Sequence, residues 1–169
     1  MHGRKQERAA GTASLRAGDQ ARDFTLIADD GRAVSLAAEL AKGPVVLSFL
    51  DSRHPGDTDS ELAALSGCVA EIRAHGAALL AISSAVRPNT ETPPDFPVRD
   101  FPVLFDAGRV VAAHYGISAP ASFVIDRASM IVLSLIDAVP GSSLGCANIV
   151  SALSALRRIE DRRQHSKAE

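Results

Sequence analysis

An α/β domain with a central mixed sheet flanked by helices is the fold class that this 169-residue sequence predicts. Three observations carry that expectation. Val45 to Leu50 is a short, almost wholly apolar run, which suits a central strand covered on both faces. Leu62, Leu65, Val69 and Ile72 then recur on one helical stripe that stops at Gly76, and Ala77 to Ser83 follows as a second apolar strand. Strand, helix, strand in that order predicts a parallel βαβ unit with a right-handed crossover. Finally, 46% hydrophobic and 22% charged residues are an ordinary globular balance, in a chain long enough for one sizeable core. We divide the chain into a disordered tail over 1–14, one domain over 15–163 and a frayed end over 164–169.

The elements follow in order. Met1 to Ser14 is polar and basic without an apolar h-region, so it reads as a tail and not as a secretory signal. Asp29-Asp30-Gly31-Arg32 is a hairpin turn signal, and Val34 to Leu36 a short strand after it. Ala37 to Lys42 is a brief helical turn that Gly43-Pro44 ends. Pro55-Gly56 punctuates the exit of the first core strand. Thr58 stands three residues before Glu61, a capping-box spacing, and the main helix is expected from about Asp59 to His75. Ser84 to Pro102 holds Pro88, Pro93, Pro94, Pro97 and Pro102 without helical period, and is expected to be a semi-rigid surface loop and a partner-contact segment. Ala107 to Tyr115 predicts a short helix closed by Gly116. Ala121 to Ile125 and Met130 to Ile136 predict an antiparallel strand pair. The last helix opens at Ser142-Ser143 or Gly145 and presents Ile149, Leu153, Leu156 and Ile159 as its buried stripe. Arg157, Arg158, Arg162 and Arg163 near its C-terminus suit the helix dipole.

Four stretches in this order resemble peroxiredoxins of the alkyl hydroperoxide reductase and thiol-specific antioxidant (AhpC/TSA) type. They are Gly18-Asp19-Gln20-Ala21-Arg22-Asp23-Phe24-Thr25-Leu26, the strand and loop from Val45 to Thr58, Phe101-Pro102-Val103-Leu104-Phe105-Asp106, and Pro120-Ala121-Ser122-Phe123-Val124-Ile125-Asp126. The resemblance spans roughly Leu15 to Arg158 and implies a thioredoxin-like fold. It also implies a cis Ala119–Pro120 bond facing the N-terminus of the main helix, and a family habit of dimerising. Two departures stand out. Arg22 occupies a position where the family usually has proline. The active-site loop, which reads Pro-Gly-Cys-Thr or Cys-x-x-Cys in the family, reads Pro55-Gly56-Asp57-Thr58 here. Aligned on Pro-Gly, Asp57 takes the place of the cysteine; aligned on Cys-x-x-Cys, Pro55 and Thr58 do.

The family's chemistry needs a thiolate as nucleophile, held at a helix N-terminus beside an arginine, with a Thr or Ser hydroxyl to orient the peroxide. A carboxylate is not a soft two-electron reductant, so Asp57 carries only a stable negative charge near the helix dipole, like an ordinary N-cap residue. No arginine stands beside Ala121 to Ile125; Arg53 precedes the loop and is expected to be solvated. Of the two cysteines, Cys68 lies mid-helix between Leu65 and Val69 and reads as a buried inert thiol. Cys146, in the first turn of the last helix after Gly145, is the better candidate for a lowered thiol pKa. A disulfide between them has no support in the sequence. His54, Asp51 and Asp57 share one loop, but their spacing matches no metal motif. Neither a phosphate loop nor a Gly-x-Ser-x-Gly elbow occurs, and no cofactor is expected.

A formal net charge of -2, 4% aromatic residues and no Trp argue against a nucleic-acid partner, and no apolar run reaches the length of a membrane span. The cytoplasm is the default location. The expectation is therefore a peroxiredoxin-like protein without thiol peroxidase activity, serving as a binding or regulatory module. Its partner, a protein, would meet the old active-site face: His54, Gly56, Asp57, Thr58 and Pro120. The alternative is an antioxidant thiol peroxidase working through Cys146 or Cys68.

Overall fold

Apolar runs become strands here, and striped segments become helices. The computed structural model describes residues 14–50, 57–84, 100–118, 120–136 and 145–168, with the side chains of 57–60 excepted. Among the described residues one mixed sheet is formed by β1 (Thr25–Ala28), β2 (Ala33–Ser35), β3 (Val45–Phe49), β4 (Ala78–Ser83), β5 (Val103–Phe105), β6 (Ala121–Ile125) and β7 (Ile131–Ile136), in the order β2-β1-β5-β4-β3-β6-β7. The helices are α1 (Leu36–Leu40), α2 (Asp57–Ala74), α3 (Val110–His114) and α4 (Cys146–Lys167).

The predicted βαβ unit is present. β3 pairs in parallel with β4, Val45 opposite Ala78 through Phe49 opposite Ile82. On its other side β3 pairs antiparallel with β6, and Phe49 faces Ala121. Every residue of β3 and of β6 is buried, as continuous apolar runs require of strands covered on both faces.

The two-residue side-chain period of a strand then divides the core. Val45, Leu47 and Phe49 point to one face and pack with Leu36, Leu40, Val111, Tyr115 and Phe123. Val46 and Leu50 point to the other and pack with Leu62, Leu65, Cys68, Val69 and Ile72 of α2 and with Ile149 and Leu153 of α4. On the first face the rings of Phe49, Tyr115 and Phe123 form a triangle, with centroids 5.3 to 5.9 Å apart. The Tyr115 hydroxyl donates to the Arg22 carbonyl at 2.8 Å, which pins the N-terminal segment to α3.

Turn chemistry holds where it was expected. Gly31 has φ 89° in the hairpin between β1 and β2, a left-handed conformation open to glycine at little cost. Ser35 caps α1 by accepting from the Ala38 amide. At the far end of α2, Gly76 turns the chain, and a Cβ at Gly43 would run into the Gly76 carbonyl oxygen.

Several expectations are corrected. α2 begins at Asp57, so neither Asp57 nor Thr58 stands ahead of the helix as an N-cap; both lie in its first turn. The single helix expected over 107–115 is split. A 3-10 turn (Ala107–Arg109) precedes α3, because Gly108 (φ 78°) and Arg109 (φ 58°) both take left-handed backbone. The helix restarts because the buried Asp106 carboxylate accepts from the Val111 and Ala112 amides at 3.1 and 3.0 Å. The buried stripe of α4 ends sooner than predicted, for Ile159 is 47% exposed. α4 also continues to Lys167, past Gln164 where the frayed end was expected. The proline-rich stretch 85–99 and the tail 1–13 lie outside the described residues.

Candidate functional site

Parallel strands bring their C-terminal ends to one edge, and loops leaving that edge are where α/β folds place their chemistry. β3 ends at Phe49, and Leu50 follows it with its amide bonded to the Ile82 carbonyl. β4 ends at Ser83, whose carbonyl accepts from the Asp106 amide just past β5. Since Ala121 opposes Phe49, Pro120 stands beside the exit of β3 and is buried there. α2 starts at the same edge with Asp57 and Thr58 in its first turn. Register and topology thus put Pro120 and the start of α2 at the same edge of the sheet. His54, Pro55 and Gly56, together with Arg53 and Asp51, lie outside the described residues, as does Ala119 and hence the peptide bond expected to be cis.

Beneath the start of α2 the sheet is polar at two points. The Ser48 and Ser122 hydroxyls, opposite each other on β3 and β6, are 2.7 Å apart and almost wholly buried. They lie on the strand face shared with Val46, under α2 and α4. Glu61 is also buried, at 3% exposure, one turn into α2. The capping-box reading gave Glu61 a boundary role and missed this burial. The signal was present in the spacing: Glu61, Leu65, Cys68 and Ile72 recur at intervals of four, three and four, which puts all of them on one stripe facing the sheet. A carboxylate near a helix N-terminus is favoured by the amide dipoles there.

The cysteines do not come to this edge. Cys68 is 11 positions beyond Asp57 in α2, about 16 Å along the helix at about 1.5 Å per residue. There it forms a disulfide with Cys146, the first residue of α4, with Cα atoms 6.0 Å apart across 78 positions of sequence. Cys68 is 3% exposed and Cys146 half-buried. The expectation of an inert free thiol at Cys68 is therefore corrected: the fold sets the two α-carbons within ordinary disulfide reach. Cys146 does occupy the first turn of the last helix, as expected. Among the described residues no group of three or more His, Cys, Asp or Glu could hold a metal ion, and no helix is long and apolar enough to cross a membrane.

Comparison with known proteins agrees with this architecture. The family model described as AhpC/TSA family matches residues 17–134. No curated protein matches the chain by sequence. Among solved structures, the chain is similar to peroxidoxin BcpB from Mycobacterium tuberculosis, with 24% identity, 83% of this chain and 97% of the other covered, and a TM-score of 0.69. A putative thiol:disulfide interchange protein DsbE from Chlorobium tepidum aligns at 26% identity over 83% of this chain and 99% of its own, with a TM-score of 0.66. The reduced 2-Cys peroxiredoxin of Plasmodium vivax aligns at 19% identity over 87% and 84%, with a TM-score of 0.71. The fold of the chain is accordingly the thioredoxin-like α/β fold.

Proposed function

Because the chain belongs to the AhpC/TSA family, we propose that it is a peroxiredoxin-like member without thiol peroxidase activity, acting as a binding or regulatory module. One observation carries this reading. Both thiols are spent on each other at the middle of α2, about 16 Å along the helix from Asp57 by the helical rise, so neither serves the edge where α2 begins. The residues left at that edge, Asp57 and Thr58 with the buried Pro120, offer a charge and a hydroxyl but no soft nucleophile. We place the partner, a protein, on that face, around His54, Gly56, Asp57, Thr58 and Pro120. The proposal extends to one domain over 15–163, a cytoplasmic location and a homodimer, the last read out by light scattering.

The test is peroxide consumption by the full chain with a thiol reductant, comparing wild type with Cys68→Ser and Cys146→Ser. No turnover above the reductant background is expected in any of the three. Turnover in wild type that disappears in Cys146→Ser would sink the proposal.

A second reading has its own observation. Cys146 is half-buried in the first turn of α4, where helix amides favour a thiolate, and its partner thiol is already in reach. In an antioxidant oxidoreductase built on this pair, the Cys146 thiolate would attack a hydroperoxide oxygen and break the O–O bond, giving the sulfenic acid and releasing an alcohol, or water when the substrate is hydrogen peroxide. Cys68 would then condense with it, expelling water to form the disulfide. The same assay separates the two readings.

A further inference from the structure

We propose that the Cys68–Cys146 bond is a reversible latch: closed, it holds the N-terminal half of α4 on α2, and exchange with a dithiol reductant opens it. This goes beyond the chemistry of the loop before α2 and does not depend on it.

The apolar hold of α4 on the body is concentrated in the turns next to the bond; farther along, the exposed Arg157 guanidinium donates to the Ala74 carbonyl of α2 at 3.4 Å. Of its 22 residues only Ile149 and Leu153 are buried; Cys146, Val150, Ala152, Ser154, Leu156 and Glu160 are half-buried. Beyond Leu156 every described residue is exposed except Glu160, which is half-buried. The helix start lacks a capping side chain: Gly145 is the N-cap, with φ 22° and no side-chain hydrogen bond to the first turn. Helix ends without a side-chain cap fray readily, and a covalent bond at the first residue replaces that restraint. Under α4 lie Val132, Leu133 and Leu135 of β7, half-buried against the same cluster. Lifting α4 uncovers that apolar strip.

Position also sets the direction of exchange. Cys68 is sealed at 3% exposure, whereas Cys146 is half-buried, so the reductant thiolate attacks the Cys146 sulfur. The Cys68–Cys146 bond breaks, Cys68 leaves as thiolate and takes up a proton, and a mixed disulfide forms at Cys146. The second thiol of the reductant attacks the reductant's own sulfur in that mixed bond. Cys146 leaves as a thiolate favoured by the α4 amides, and the reductant departs as a disulfide. Two electrons have passed from the dithiol to the chain. In a reducing compartment such a bond is transient, and that is where a latch of this kind has a use.

The test is amide hydrogen exchange on the full chain, read by mass spectrometry, after oxidation with diamide and after reduction with dithiothreitol. Exchange over 147–156 is expected to rise roughly tenfold or more on reduction, with β3, β4 and β6 unchanged, and to return on reoxidation. Cys68→Ser/Cys146→Ser should match the reduced chain under both conditions. Equal protection of α4 in the two redox states overturns the latch. So does loss of protection through the whole sheet on reduction, which would make the bond a global staple, and so do two titratable thiols persisting after diamide. If the double variant fails to fold, oxidised and reduced wild type decide the matter alone.

Discussion

At Tyr115 a single hydroxyl joins packing to pH. Its ring completes the triangle with Phe49 and Phe123, and its oxygen bonds the Arg22 carbonyl. Burial, above all, pushes the phenol well above its ordinary value near 10, and the hydrogen bond to Arg22 only partly opposes it. The unfolded tyrosine therefore ionises first. Its contribution is fully present below about pH 10 and is lost as pH rises above that value. Tyr115→Phe should cost about 1 kcal/mol at pH 7 through the lost hydrogen bond, and should flatten the fall in stability above pH 10. Denaturant melts at pH 7, 9.5 and 11 measure both effects; a variant as steep as wild type above pH 10 contradicts the account. Gly43 is the other sensitive residue. A methyl group there meets a backbone oxygen, that of Gly76, which cannot swing aside as a flexible side chain would. Gly43→Ala should cost about 1–3 kcal/mol, read as a lower midpoint in urea at an unchanged slope.

Among the elements, α2 and α4 depend on each other through sulfur. The bond joins positions 78 apart, and the loop-entropy relation gives roughly 4.5 kcal/mol as the ceiling for a loop of that size. Since opening the latch frees α4 and leaves the sheet protected, Cys68→Ser/Cys146→Ser should fall well short of that ceiling, lowering global stability by about 1 kcal/mol or less against the oxidised chain and leaving it unchanged against the reduced chain. Calorimetry of the three forms tests this. How legible each element was depended on how local its cause is. β3, β4 and β6 were legible because buried strands are continuous apolar runs and turn residues bound them. The break at Gly108-Arg109 was not, because the helix restarts on Asp106, whose caps reach five and six residues ahead. Glu61 was misread for a related reason. A capping-box spacing and a buried stripe coincide at that position, and packing against the sheet selects the stripe.

For the molecule as a whole, burial predicts where the chain tolerates loss. Residues 161–168 are exposed throughout, while Ile149 and Leu153 are 1% exposed within the layer that covers β3 and β6. Removing 161–169 should leave the midpoint of thermal unfolding within about 2 °C of the full chain, since exposed residues outside any cap or pair shift stability by at most about 0.5 kcal/mol. Ending the chain before Cys146 should abolish cooperative melting, because the second apolar layer loses its outer helix.

The sequence by itself determined the α/β class, the order of the elements, the parallel βαβ unit and the edge where α2 begins. Each of these rests on patterns of period two or 3.6 and on turn residues, all written within a few positions of one another. Only the tertiary structure decided that Cys68 meets Cys146, that Glu61 turns inward and that α4 buries only Ile149 and Leu153 in the core. Nothing local links positions 78 apart; their meeting follows from how α2 and α4 pack side by side on one face of the sheet.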